Sequence, residues 1–230
     1  MTLLNTLGEP EKALGLIKAR KFHQWEGGEG KVAAQYLTAL YQLAKADVEK
    51  EDYAEAKELL LRAVGEYPHN LGEGKLESGQ ENNLYYLLGL VQEKLGEAKD
   101  AFESLTRACC GESEPVGMMY YNDQPPEMIY YQGLAYRMLG EEEQAVRRFQ
   151  KLVDYGREHI RDDVKIDYFA VSLPDLLIFE ENLNERNRKH CLFMMSLGLK
   201  GLGRIDEAEK CAEELLAMDN AHQEIRVHDL

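Results

Sequence analysis

Two stretches of the chain carry the same small residues at the same intervals. Gly89, Gly96 and Ala101 stand seven and five residues apart with Ala108 beyond them, and Gly133, Gly140 and Ala145 repeat the spacing with Phe149 beyond. Small side chains at the first and third of these places let two helices approach closely, and a glycine between them supplies the turn. The spacing therefore predicts antiparallel helix pairs. Repeated along the chain, such pairs give an all-α solenoid in which each hairpin packs on its neighbours.

This spacing resembles the tetratricopeptide repeat (TPR), a pair of antiparallel helices of about 34 residues. In its register the small residues fall at places 8, 15 and 20. A further copy has Leu40, Leu43, Ala44, Ala56, Leu60, Ala63 and Pro68, and departs from the pattern at the turn, where Glu51 stands for glycine. A last copy has Leu192, Ser196, Gly203, Ala208 and Leu215. The resemblance implies a right-handed α-α superhelix of about four helical hairpins, at roughly residues 37–68, 82–110, 126–156 and 189–219, in one domain spanning 1–230.

Gly8, Ala13 and Ile17 match only the second half of a repeat, at residues 6–21. A lone helix there is expected to leave an apolar face uncovered. Two expectations follow: that the chain is the C-terminal arm of something longer, and that two copies pair through this face as a homodimer. The tail from Asp219 is polar and reads as an end. Successive alanines at place 20 (Ala13, Ala56, Ala101, Ala145, Ala208) lie 43, 45, 44 and 63 residues apart. The excess over the basic unit falls in long links at residues 22–31, 67–81, 109–126 and 156–188, where binding residues tend to collect.

Composition narrows the partners. The 230 residues carry 27 basic and 42 acidic side chains, a net charge of -15, which repels phosphates and excludes a nucleic-acid partner. The longest apolar stretches, such as 84–91, fall far short of the roughly 18 residues that span a bilayer. The first residues lack the basic and apolar regions of an export signal, so a cytoplasmic location is expected. Four irregularly spaced cysteines read as reduced thiols, with adjacent Cys109 and Cys110 as an alternative redox pair, and no spacing suggests a metal or a cofactor.

The candidate binding residues fall in four groups. Gly28-Glu29-Gly30-Lys31 recurs as Gly72-Glu73-Gly74-Lys75. Neither is a phosphate loop, which needs four residues between the glycines and Ser or Thr after the Lys. They read as structural turns, or, with His23, Trp25 and His69, as an aromatic and polar rim for a sugar or peptide. In the second group Tyr121, Asn122 and Asp123 precede Pro125 and Pro126, which start a helix. The third is the apolar segment 166–175 with Asp167 and Asp175. The fourth comes from the register: place 5 of each first helix reads Tyr41, Tyr86, Tyr130 and Phe193, an aromatic ladder to which Tyr131 adds. This face is expected to be either an open stacking surface or core. As an open surface it predicts that alanine at Tyr86 and Tyr130 leaves the melting transition nearly unchanged.

The family's carboxylate clamp uses Lys and Asn at places 2, 5 and 9. Here those places hold mainly Tyr and Leu, with Asn83, Glu127, His190 and one cation, Lys45, so that clamp does not match. The phrases at 23–31, 70–75, 120–126 and 166–176 are similar to the C-terminal repeat region of large bacterial TPR proteins with an N-terminal β-rich domain, a group linked to carbohydrate use. The expected function is a protein- or ligand-binding scaffold, not an enzyme on its own. The alternative is a carbohydrate-binding or glycan-processing role in a larger parent. There Trp25 and Tyr121 would stack on an oligosaccharide, and Asp123 or Asp175 would act as acid or base.

Overall fold

The computed structural model describes residues 1–23, 28–75, 80–117, 123–165 and 182–228. Trp25, Tyr121, Asn122, Asp167 and Asp175 lie outside these. Eleven α-helices fill the described residues, and no strand occurs among them. They are α1 Thr2–Thr6, α2 Pro10–Lys18, α3 Lys31–Glu49, α4 Tyr53–Val64, α5 Asn82–Lys94, α6 Ala98–Ala108, α7 Pro126–Met138, α8 Glu142–His159, α9 Leu183–Gly201, α10 Ile205–Met218 and α11 Gln223–Val227, with a 3-10 turn at His69–Leu71. The chain gathers into two compact units, Met1–Cys110 and Gly111–Leu230.

The hairpins close by one recurring device. Gly96, Gly140 and Gly203 take φ of 78°, 82° and 74°. The next N–H then reaches the carbonyl five residues back: Glu97 to Gln92, Glu141 to Tyr136 and Arg204 to Leu199, each at 2.9 Å. This closure satisfies carbonyls that the helix end would leave unpaired. Glu51, the departure from the pattern, takes the same left-handed conformation at φ 62°, and Asp52 N–H reaches Asp47 O at 2.8 Å. The sequence lost the glycine but the turn kept its shape.

In the first unit α3 pairs with α4 and α5 with α6, while α2 packs on α3 and α4 on α5. Ala13, Ala44, Ala56 and Ala63 are fully buried at these crossings, where a longer side chain would push the helices apart. A Cβ on Gly89 would come 2.7 Å from Leu105 Cγ, so the close approach of α5 to α6 requires that glycine.

The half repeat differs from expectation. A short helix α1 precedes α2 and touches both α2 and α3, with the Asn5 amide donating to Gln35 O at 3.0 Å. The apolar face of α2, at Ala13, Leu14 and Ile17, is buried rather than orphaned. The cover comes from α3, which starts at Lys31 rather than at 37, and from the turn at His69–Leu71. Leu3, Leu7 and Leu16 remain exposed.

In the second unit α7 pairs with α8 and α9 with α10, and α8 packs on α9. Phe149 is fully buried at its centre. A Cβ on Gly133 would lie 2.4 Å from its ring, and one on Gly201 2.2 Å, so glycines of α7 and α9 form the slot that the ring fills. The polar tail packs on this unit. It folds as α11, which buries Ile225 and Val227, and the Tyr131 hydroxyl pairs with His228 Nδ1 at 3.0 Å.

Candidate functional site

The loop echo is structural on both sides. In the first copy Gly30 takes φ 75° and opens α3; in the second, Glu73 caps that same helix, accepting from Gly30 N–H at 2.8 Å and Ala33 N–H at 3.1 Å. Gly72 lies against the backbone of Phe22, where a Cβ would come 2.3 Å from the carbonyl oxygen. The Asn70 amide donates to Ile17 O and Arg20 O, closing the end of α2. Lys75 bonds the Val64 carbonyl and pairs with the buried Glu81 at 2.7 Å. Burial pushes the Glu81 carboxyl up against the pull of Lys75. His23 and His69 are exposed beside this clamp, whose polar groups are spent on the protein itself.

The aromatic ladder is mostly interior. Tyr41, Tyr130, Tyr131 and Phe193 are buried, and only Tyr86 is half-buried. Tyr130 packs against Tyr131 and Phe149 with ring centroids 5.4 Å and 5.7 Å apart. Of the first-helix aromatics, Phe193 borders open space.

That space is a cavity of about 750 Å³ inside the second unit. Its longest wall is one face of α9, where Glu185, Arg186, Lys189, His190 and Phe193 recur at helical intervals. Pro126 presets the first turn of α7 and places Glu127 on the opposite side. Asp219, His222 and Glu224, from the end of α10 and the start of α11, complete the lining. Asn182 fixes the start of α9 by accepting from Asn184 N–H and Glu185 N–H. Asp123 is half-buried and close enough for its charge to act on His190.

The electrostatics are those of a partly dry site. His190 pairs through Nε2 with Val116 O at 2.8 Å. Burial pushes its imidazole down to about 4, helped by Arg186 and His222 and opposed by the Val116 carbonyl and Asp123, so the ring is neutral and donates. His222 is also pushed down by burial; its Nδ1 accepts from Ile225 N–H at 3.4 Å and its ring tilts over Phe193 at 5.3 Å. Lys189 pairs with Asp219 at 3.3 Å. Burial pushes Glu127 up to about 8, with the Glu224 charge adding and its own backbone N–H opposing.

Glu127 and His190, at place 2 of the third and fourth expected hairpins, and Phe193, at place 5 of the fourth, line the same cavity. Arg186, Lys189, His222 and Glu224 are invisible to the register. The first two precede or extend the helix start expected near 189, and the last two fall in the tail. No periodic signal marked the first pair, because residues 184–190 form an unbroken polar run.

The fold defines the chain as an all-α protein built of helical hairpins. A family model described as tetratricopeptide repeat matches residues 38–70 and 127–155, one stretch in each unit. Among solved structures it is similar to MamA, at 18% identity over 94% of this chain and 92% of that one, with a TM-score of 0.32. A protein of Podosopora anserina assigned as a kinesin light chain, with nearly identical TPR-like repeats, matches at 16% identity over 96% and 92%, with a TM-score of 0.36. These likenesses are too low to carry those proteins' roles to this chain. Among the described residues no helix is long and apolar enough to cross a membrane, and no group of three His, Cys, Asp or Glu is placed to hold a metal ion.

Proposed function

We propose that the chain is a peptide-binding scaffold and that the cavity beside α9 receives a side chain of the bound peptide. The observation that supports this is the convergence of Glu127, His190 and Phe193 on a space of about 750 Å³. Ligand pockets typically enclose about 300–1,000 Å³, with apolar floor and a few polar groups that fix orientation. Phe193 supplies the floor, and neutral His190 and His222 supply polar contacts without the desolvation cost of a charge. Place 2 and place 5 lie on the inner face that such repeats offer to partners.

Selection of a random displayed peptide library on the full chain tests this, followed by calorimetry on the wild type and on Glu185→Trp. Glu185 is exposed at the cavity rim, so the indole obstructs entry without disturbing the core. Selected peptides should bind the wild type and bind the variant at least about tenfold more weakly, a loss of about 1.4 kcal/mol. Equal affinity for both would remove the cavity from the reading. Retention on an oligosaccharide array with no peptide selected would favour the carbohydrate alternative.

A further inference from the structure

One acid of the cavity wall, Glu127, is held by its own backbone N–H and, among the described residues, by no cation. Glu127 exposes only 8% of its surface, and among the described residues its carboxyl has no hydrogen bond from another residue's side chain. Three neighbours in the lining are bound elsewhere: His190 to Val116 O, Lys189 to Asp219 and His222 to Ile225 N–H. What acts on Glu127 is a second carboxylate, Glu224, half-exposed at the rim and 3.5 Å from His222 Nδ1. Two acidic groups facing one cavity, one of them nine-tenths buried, leave a cation's place unfilled.

We infer that Glu127 and Glu224 together receive the ammonium or guanidinium group of a basic residue in the bound peptide. The inference rests on the cavity being the peptide site and adds what enters it. The cations of the lining do not fill this role. Lys189 is held by Asp219, and neither it nor Arg186, both on α9, is among the groups that shift Glu127. From α11 and the segment before it, His222 is kept neutral by burial and Glu224 is negative. From α9, His190 is neutral as well. The chain's net charge of -15 favours the approach of a basic partner over long range.

The proton has a definite fate. With its carboxyl pushed up to about 8, Glu127 is protonated at neutral pH, when repulsion from Glu224 and burial both disfavour its charge. An entering ammonium reverses both effects. The O–H bond of Glu127 breaks, the proton leaves to solvent, and the carboxylate accepts hydrogen bonds from the ligand. Binding at neutral pH therefore releases about one proton, and affinity rises by up to about tenfold per pH unit until Glu127 is ionised in the free protein.

The test uses the full chain and four probes: acetyl-Ala-Lys-Ala-amide, its Arg counterpart, its Nε-acetyl-lysine counterpart, and Ala-Ala-Ala-amide with a free N-terminus. Calorimetry at pH 7 in two buffers of different ionisation enthalpy counts the protons, and a series from pH 6 to 9 gives the slope. The Lys and Arg peptides should bind at least about tenfold more tightly than the acetylated one. Binding of Ala-Ala-Ala-amide instead would assign the site to a peptide's terminus and overturn a basic side chain as the occupant. Glu127→Gln should abolish the proton release and the pH slope. Glu224→Gln, at a rim position that leaves the core intact, should weaken the Lys peptide about tenfold. Equal binding of the Lys and acetyl-lysine peptides overturns the inference and leaves the peptide cavity standing. So does failure of all four probes where library-selected peptides bind and Glu185→Trp blocks them. If no peptide of either kind binds, both readings fall.

Discussion

Glu73 holds the start of α3 from 43 residues away, its two carboxylate oxygens accepting the N–H groups of Gly30 and Ala33. It does the work of an N-cap residue, which the chain at Gly30 lacks, and adds a negative charge at the positive end of the helix. Glu73→Ala should lower the stability of the first unit by about 1–2 kcal/mol, read as a shift in the urea midpoint. Glu29→Ala, at the matching position of the other copy and exposed, should change it by less than about 0.5 kcal/mol.

Glu51 occupies a left-handed turn that four glycines, Gly8, Gly96, Gly140 and Gly203, occupy elsewhere. A side chain in that conformation costs about 1 kcal/mol or slightly more, part of which is regained because glycine loses more freedom on folding. Glu51→Gly should raise the thermal midpoint of the first unit, by a stabilisation of about 0.5–1 kcal/mol. A lower midpoint would show that the side chain contributes a contact outweighing the strain.

Tyr130 and Tyr86 occupy equivalent places in the register but different environments. Tyr130 is buried between Tyr131 and Phe149, so Tyr130→Ala should cost about 3 kcal/mol or more in a denaturant titration. Tyr86 is half-buried, and its truncation should cost about half as much. These losses replace the expectation that both changes leave melting unaltered.

The pH dependence of stability carries opposite contributions from the two sides of the cavity. His190, pushed down to about 4 from 6.5, resists a proton that the unfolded chain accepts, so stability falls as pH drops from about 6.5 towards 4. His222 adds in the same direction. Glu127, pushed up to about 8 from 4.5, retains a proton that the unfolded chain has lost, so its contribution is full below about 4.5 and is lost as pH rises to 8. Between about 4.5 and 6.5 the two offset; above 6.5 Glu127 acts alone. Stability should therefore decline by about 2 kcal/mol between pH 6.5 and 8, and Glu127→Gln should flatten that decline. A wild-type profile level over this range would refute the assigned protonation of Glu127.

The helical hairpins were legible because close helix approach leaves a residue-level mark: Gly89, Gly133 and the buried alanines can be found by spacing alone. Link lengths were less legible. The start of α3 depended on a distant group, Glu73, which adjacent residues do not announce, whereas Asn182 marks the start of α9 locally. Helix α11 was not legible either: Ile225 and Val227 are only two apolar residues in a polar stretch, yet both are buried. Of the aromatic candidates, Phe193 lines the cavity, while Tyr41 and Tyr130, at the same place of other hairpins, are buried. Register fixes which way a side chain points; whether space remains there depends on what the neighbouring hairpin fills.

The bonds from Asn70 to Ile17 and Arg20 span half of the first unit and skip a hairpin. In a stack where every hairpin touches only its neighbours, the outermost helix frays first and unravelling advances one element at a time. Here the loop after α4 grips the end of α2 directly, a second-neighbour tie across the α3–α4 pair. The outermost segments are thereby bound to the middle, so amide protons of α2 should exchange together with those of α4 rather than ahead of them. The first unit gains in this way a cooperativity that nearest-neighbour packing alone would deny it.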